Sequence, residues 1–128
     1  MKAVIYFHNV RRVTRDLYYQ YNVSNIEIEL LISLGVMIMK TGKPAHAKVN
    51  IFNKASKPRK TGQFLAAFQA LQDKGYIIQQ RANNGHNFKL GPEGLSIIER
   101  FDLQLSEMAE AEITGSQSIN DIITGALN

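Results

Sequence analysis

The stretch "FLAAFQALQDKGYIIQQRANNGHNFKLGPEG", residues 64–94, decides the fold, because the spacing of its apolar residues changes from a helical pattern to a strand pattern. Phe64, Phe68 and Leu71 recur at steps of four and three residues, which is typical of the buried face of a helix. Gly75 follows this pattern, where a glycine supplies the left-handed residue that ends a helix. An Asn-Gly pair then separates "YIIQQRA" from "HNFKL", a strong indication of a β-hairpin. The stretch therefore predicts an amphipathic helix followed by a two-stranded hairpin.

Three further helices are predicted before this stretch and one after it. The spacing of apolar residues favours a first helix over residues 3–20, although the run "AVIYF" is also compatible with a strand. "SNIE" at 24–27 predicts a capping box that opens a second, largely apolar and therefore central helix. Pro44 suits the first turn of a third helix that extends to about Asn53. A fifth, long helix is predicted to begin at "GPEG".

Three compact helices followed by a two-stranded hairpin are the parts of a winged helix-turn-helix domain. The predicted fold class is mainly α with a small β-hairpin (α+β), with flanking N- and C-terminal helices. A chain of 128 residues has the length of one domain. We divide it into an N-terminal helix (1–22), a winged core (24–91) with its wing at 76–90, a long C-terminal helix (92–113) and a polar tail (114–128), in which "SIND" could cap one or two last helical turns.

Over roughly residues 24–112 the chain resembles the MarR family of winged-helix transcription regulators. "IELLISL" corresponds to the helix before the motif, "FLAAFQALQDKGYI" to the recognition helix and first wing strand, and "FKLGPEGLSIIERF" to the second wing strand and a long helix. The residues that match the family's pattern are Leu71, Lys74, Gly75, Ile77, Leu90 and Gly94. The family's Asp-any-Arg sequence in the wing is absent, and Asn84, Gly85 and His86 stand in its place.

Charge is segregated along the chain. Residues 1–90 carry 14 Lys and Arg against 4 Asp and Glu, whereas residues 91–128 carry one Arg against 7 acids. This asymmetry predicts one region that faces a polyanion and another that is turned away from it. The alternative is that the charge only keeps the protein soluble.

Several function classes have little support in the sequence. The chain has no cysteine, which excludes disulfides, thiolate metal sites and cysteine nucleophiles and fits a cytoplasmic location. The three histidines, His8, His46 and His86, are too far apart in sequence to indicate a metal site. We therefore expect a protein that is not an enzyme and has no metal or cofactor. No apolar run of membrane-spanning length and no export signal is found, so we expect no membrane association.

The face of the fourth predicted helix opposite Phe64 is small and polar, without acids before Asp73. Gly62 would let this helix approach a groove closely, and glutamine amides can bind base edges, most often adenine. The alternatives are that Gly62 is a frayed helix end and that the hairpin is merely polar. The candidate DNA-binding residues are Lys43, Lys48, Lys57, Arg59, Lys60, Thr61, Gly62, Gln63, Ala66, Gln69, Arg81, His86 and Lys89.

The resemblance to the MarR family implies a homodimer formed by the first and last helices, which both carry apolar stripes here. The alternative is that the first helix packs on its own chain. The resemblance also implies a possible small aromatic effector, for which Tyr6, Tyr18 and Tyr21 are candidates unless they belong to the core. The predicted interface residues are Tyr6, Val10, Val13, Leu17, Ile98, Phe101, Leu105 and Met108.

These observations favour a sequence-specific protein that binds double-stranded DNA as a homodimer and regulates transcription. One alternative is a winged-helix module that binds an acidic protein. Another is a protein that binds structured RNA or assists plasmid or phage DNA handling.

Overall fold

The elements of the structure follow the predicted order. The computed structural model describes residues 1–45, 47–82 and 85–127, and side chains up to Ala111. Within these residues the elements are α1 (Lys2–Tyr21), α2 (Asn25–Thr41), α3 (Lys48–Asn53), α4 (Thr61–Asp73), β1 (Ile77–Ala82), β2 (Gly85–Leu90) and α5 (Pro92–Leu127). The predicted α+β class with one antiparallel hairpin is confirmed, and the first element is a helix rather than a strand.

The connection between α1 and α2 is determined by the residues that end the first helix and begin the second. Asn22 adopts a left-handed conformation (φ 56°, ψ 48°) and ends α1. Ser24 opens α2 with the predicted capping box: its hydroxyl accepts from the Glu27 amide at 3.2 Å, and its own amide donates to the Glu27 carboxylate at 3.2 Å. The two helices are bent by 102° at this joint.

α2 is the central helix of the core. Leu30, Leu31 and Leu34 are fully buried, which explains why nearly every face of this helix is apolar. Among the described residues no single helix has the length and apolar character needed to cross a membrane, and only the bent pair α1 and α2 meets that test jointly.

An aromatic cluster joins α3, α4 and the hairpin. Phe68 is fully buried at its centre. Its ring lies 5.9 Å from that of Phe52 and 5.0 Å from that of Phe88, both in edge-to-face geometry, and Phe52 stacks on Phe64 at 5.1 Å. The base of the hairpin is thus anchored in the same core as α4.

The third helix begins later than predicted. Pro44 does not start it: Ala45 is instead buried in a β-bridge with Phe88, with backbone N–O distances of 3.0 and 2.7 Å. Without Ala45, the backbone groups of Phe88 at the outer edge of β2 would be unpaired, and the bridge provides their hydrogen-bond partners. The helix therefore occupies only Lys48–Asn53.

The hairpin follows α4 through a tight turn. Gly75 has φ 76°, and the Tyr76 amide donates to the Leu71 carbonyl at 2.9 Å, as in a Schellman-type helix end. The strands then pair antiparallel from Ile77 with Leu90 to Ala82 with Gly85. The predicted tip residues 83 and 84 lie outside the described residues.

The start of α5 approaches this turn closely. A Cβ added at Gly91 would lie 2.0 Å from the carbonyl oxygen of Gly75, and one added at Gly94 would lie 2.2 Å from that of Tyr76. Only glycine therefore fits at either position, and the contact fixes the hairpin relative to α5.

α5 is longer than predicted. It continues to Leu127, whereas the sequence predicted an end at residue 113 and a tail with a separate short helix at 114–128. No proline occurs after Pro92, and an isolated glycine weakens a helix by only about 1 kcal/mol without ending it.

Candidate nucleic-acid interface and adjoining cavity

The outward face of α4 is the first part of the candidate site. Phe64, Phe68 and Leu71 hold the helix on the core. The opposite face is exposed and, as predicted, carries no acid before Asp73. It consists of Thr61, Gly62, Gln63, Ala66 and Gln69.

The two glutamines on this face differ in their surroundings. The Gln69 amide nitrogen donates to the Asp73 carboxylate at 2.9 Å, near the C-terminal end of the helix. Gln63 lies in the first turn of the helix, next to Gly62. No heavy atom of the described chain lies within 4 Å of a Cβ added at Gly62, so the fold itself does not require glycine there.

Exposed lysines surround the N-terminal end of α4. Lys60 is the N-cap residue in an extended conformation (φ −62°, ψ 141°), and Lys57 precedes it in the same loop. Lys43, after α2, is also exposed. The charges of Lys57 and Lys60 add to the positive potential of the helix N-terminus.

The hairpin divides its three candidate residues between two faces. Arg81 and His86 oppose each other near the tip, whereas Lys89 pairs with Ile78 on the other face. All three candidate side chains are exposed.

Two predicted DNA-binding residues make contacts with side chains of their own chain. The Lys48 ammonium lies 5.2 Å from the ring centroid of Phe68 and covers the aromatic cluster. The Arg59 guanidinium forms an ion pair with Glu29 of α2, and its side chain is only 12% exposed. Neither residue presents a free charge beside the exposed face of α4.

A cavity of about 800 Å³ adjoins the loop before α4, between α1 and α2. The wall includes four aromatic side chains: Phe7, Tyr18 and Tyr19 of α1, and Phe101 of α5. Of the three predicted tyrosines, Tyr18 lines the cavity, whereas Tyr6 and Tyr21 do not belong to its wall. The cationic side chains in the wall are Arg11, Arg15, Lys54, Lys57 and Arg59.

Comparisons with known proteins bear on the fold. No protein-family model and no curated protein sequence matches the chain. Among solved structures it is similar to MepR, a transcription regulator of the Staphylococcus aureus multidrug efflux pump MepA, with 14% identity, a TM-score of 0.68 and coverage of 98% of this chain and 92% of that one. A MarR-family transcriptional regulator from Silicibacter pomeroyi superposes with a TM-score of 0.61 at 13% identity, over 95% of this chain and 82% of that one.

The chain has a MarR-like winged-helix fold.

Two further MepR structures carry ligands. A MepR variant bound to an oligodeoxyribonucleotide matches with a TM-score of 0.69 at 16% identity, over 98% of this chain and 91% of that one. MepR bound to ethidium bromide matches with a TM-score of 0.65 at 15% identity, over 94% of this chain and 87% of that one. In terms of the winged-helix fold, the hairpin is the wing and α4 is the helix that precedes it.

The predicted dimer residues fall into three groups in this MarR-like fold. Val13 and Leu17 are fully buried within the single chain, which corrects their assignment to an interface. Tyr6 is 57% exposed on the outer side of α1. The remaining predicted residues are half-buried: Val10, Ile98, Phe101, Leu105 and Met108.

Sequence reasoning missed two sets of residues. The first is the exposed apolar side chains near the start of α1, Val4 and Phe7. They lie next to the expected apolar stripes and could have been found by projecting each helix onto a plane. The second is Glu29, whose role depends on a partner 30 residues away in sequence and leaves no local pattern.

Proposed function

We propose that this chain is a transcription regulator that binds double-stranded DNA sequence-specifically as a homodimer. The observation that carries the proposal is the exposed, acid-free face of α4 with lysines at its N-terminal end. A recognition helix needs this arrangement, because acids would be repelled by phosphates while small and polar residues reach base edges. The DNA-bound MepR variant of the same fold supports the proposal.

Within this proposal, backbone contacts and base contacts come from different residues. Lys57 and Lys60 border the exposed face and suit phosphates, with Lys43 and the wing residues Arg81 and Lys89 as further candidates. Gln63 projects from the face close to the helix start, where a recognition helix enters the groove. Gln69 is the second candidate for a base contact, after release from Asp73.

Replacing Lys60 and Gln63 separately should distinguish these roles. Lys60→Ala should weaken binding to all duplexes about equally and lower the slope of log affinity against log salt by about 0.9 for one lost phosphate contact. Gln63→Ala should cost about 1–3 kcal/mol on the best sequence and much less on random DNA. The measurements are affinities for selected and scrambled duplexes at several salt concentrations.

Both side chains are exposed, so neither substitution should disturb folding, which circular dichroism can verify. Wild-type affinity in both variants would show that α4 is not the reading element. The basic residues near Lys60 would then be better assigned to an acidic protein partner.

The dimer is proposed to form through the outer faces of α1 and α5. These helices pack against each other within one chain, yet Tyr6 and Leu103 remain more than half exposed. Large apolar side chains concentrated on two adjacent helices are typical of a protein–protein interface. A second copy of the chain is the partner that supplies a matching apolar surface.

Leu103→Asp should weaken the dimer, because it would bury an unpaired charge between two copies. Light scattering at micromolar concentration should report about twice the chain mass of 14.4 kDa for the wild-type protein and a value close to one chain for this variant. Val49→Asp is the matched control, since Val49 is similarly exposed but lies on α3. A monomeric wild-type protein, with or without DNA, would contradict the dimer.

The cavity is proposed to bind a small aromatic effector. Its aromatic side chains suit a planar ring. The described lining residues include five cationic side chains and one carboxylate, that of Glu29. This charge balance favours an anion. The proposed anionic effector would thus have the opposite charge to ethidium, the cation bound in one MepR structure.

A further inference from the structure

Parts of five elements meet at the C-terminal end of α4. Lys74 is the C-cap residue of this helix, and Tyr76 directly precedes β1. Their side chains extend to the connection between α1 and α2, which lies more than 50 residues earlier in the chain. The Tyr76 carbonyl accepts from the amide of Gly91, at the start of α5, at 2.9 Å. We call this meeting point the junction and define it by Asn22, Glu27, Lys74 and Tyr76.

The Lys74 ammonium is the central group of the junction. It donates to the Asn22 carbonyl at 2.7 Å and lies 2.8 Å from the Glu27 carboxylate. It also lies 5.9 Å from the ring centroid of Tyr76. Only 29% of the Lys74 side chain and 10% of the Glu27 side chain are exposed. Removing either partner would leave the other charge poorly solvated, which distinguishes this ion pair from an ordinary surface pair.

Lys74 also supplies the charge that the C-terminal end of α1 lacks. The last turn of α1 has no basic residue of its own, although the unpaired carbonyls there carry the negative end of the helix dipole. The Lys74 ammonium binds at this end from α4, and the Tyr76 hydroxyl donates to the carbonyl of Tyr21 at 3.4 Å. The end of α1 is therefore bound directly to the end of α4.

Glu27 connects the same lysine to α2. One oxygen of its carboxylate accepts from the Ser24 amide in the capping box, and the other lies next to Lys74. One buried side chain thus takes part both in opening α2 and in holding the end of α4. Tilting α4 relative to the bend between α1 and α2 would break its contact with Lys74.

We propose that Lys74 is a positioning residue for DNA recognition: together with Glu27 it fixes the angle between α1 and α4, and thereby the distance between the two α4 helices of the dimer. The proposal rests on the proposed homodimer for this distance, but not for the angle within one chain. α1 belongs to the proposed dimer interface, so a change in the angle moves the two exposed faces of α4 relative to each other. A dimer binds two half-sites together only when their separation matches its own geometry. The junction therefore determines which half-site spacing the protein accepts.

The angle can be measured without DNA, because the chain has no cysteine and accepts spin labels at chosen positions. Gln20→Cys on α1 and Ala66→Cys on α4 place nitroxide labels at two exposed positions, and dilution with unlabelled protein leaves one labelled chain per dimer. Pulsed electron paramagnetic resonance should give a narrow distance distribution, and one about twice as broad or more after Lys74→Met, because the buried ion pair is lost. Glu27→Gln should also broaden it, since glutamine can keep the capping bond to Ser24 but not the ion pair.

Two further variants separate positioning from a general loss of stability. Ile51→Val shortens a fully buried side chain of α3 outside the junction, so it should lower stability but leave the distribution narrow. Lys74→Arg keeps the positive charge and should give a narrower distribution than Lys74→Met. Circular dichroism verifies folding, and Glu27→Gln decides if Lys74→Met does not fold. A wild-type distribution in either folded variant, or equal broadening by Ile51→Val, would overturn the proposal.

The consequence for DNA is measured with duplexes in which the two half-sites have the selected spacing or are one or two base pairs closer or farther apart. The wild-type protein should prefer the selected spacing by roughly tenfold or more, the effect of losing about one base contact. Lys74→Met should largely lose this preference, and Ile51→Val should keep it.

The two measurements distinguish the possible failures. If the wild-type protein binds no duplex, or binds without regard to spacing, the proposed function as a homodimer on DNA fails, while the label distances still test the angle set by Lys74. If the wild-type protein prefers one spacing and folded Lys74→Met prefers it equally, the positioning role fails and the proposed function stands.

Discussion

Replacing Phe68 by alanine should lower the free energy of unfolding by about 3–5 kcal/mol, the usual cost of removing a fully buried aromatic ring. Phe68 is completely buried, and its ring contacts those of Phe52 and Phe88. It also lies beneath the Lys48 ammonium. The substitution would therefore leave a cavity at the place where α3, α4 and the hairpin meet.

Urea unfolding followed by circular dichroism measures this loss. Leu65→Ala is the matched control, because Leu65 lies on the same helix with 43% of its surface exposed, and it should change stability much less. A loss for Phe68→Ala no larger than that for Leu65→Ala would contradict the packing of α4 described above. Since small domains have only about 5–15 kcal/mol of stability, the Phe68 variant should be close to unfolding at physiological temperature.

Features that depend on neighbouring residues were predictable from the sequence. The Ser24 capping box, the end of α4 at Gly75 and the hairpin all arise from contacts between residues that are close in sequence, at most the separation of Ile77 and Leu90, and the structure shows each of them. The order of these elements was enough to predict the winged-helix fold. The exposed face of α4 followed from helical geometry alone.

Features that depend on distant partners were not predictable. Ala45 leaves its predicted helix because it pairs with Phe88, and Arg59 turns away from the exposed face because Glu29 lies opposite it. The stripe containing Val13 and Leu17 has the same spacing whether it packs on its own chain or on a second copy. A periodic pattern identifies a buried face but not the surface that covers it.

Gly62 is the residue of α4 whose role is most clearly separable from folding. It occupies the second position of the helix, is exposed, and has open space around it in the described chain. Glycine inside a helix is about 1 kcal/mol less favourable than alanine. Since nothing in the fold requires glycine here, a close approach of the helix to DNA is the explanation that we propose.

Gly62→Leu should consequently reduce affinity for every duplex by roughly a hundredfold or more, which corresponds to losing one or two base contacts. The bulky side chain would hold the N-terminal end of α4 away from the groove floor and so remove both base and phosphate contacts. Stability should stay the same or rise, because leucine is a better helix former than glycine. Gly62→Ala is the control, with a small gain in stability and a much smaller loss of affinity. Titration of selected and scrambled duplexes, together with urea unfolding of each variant, provides both quantities. Full affinity in a folded Gly62→Leu protein would mean that DNA, if it binds, contacts a surface other than the N-terminal half of α4.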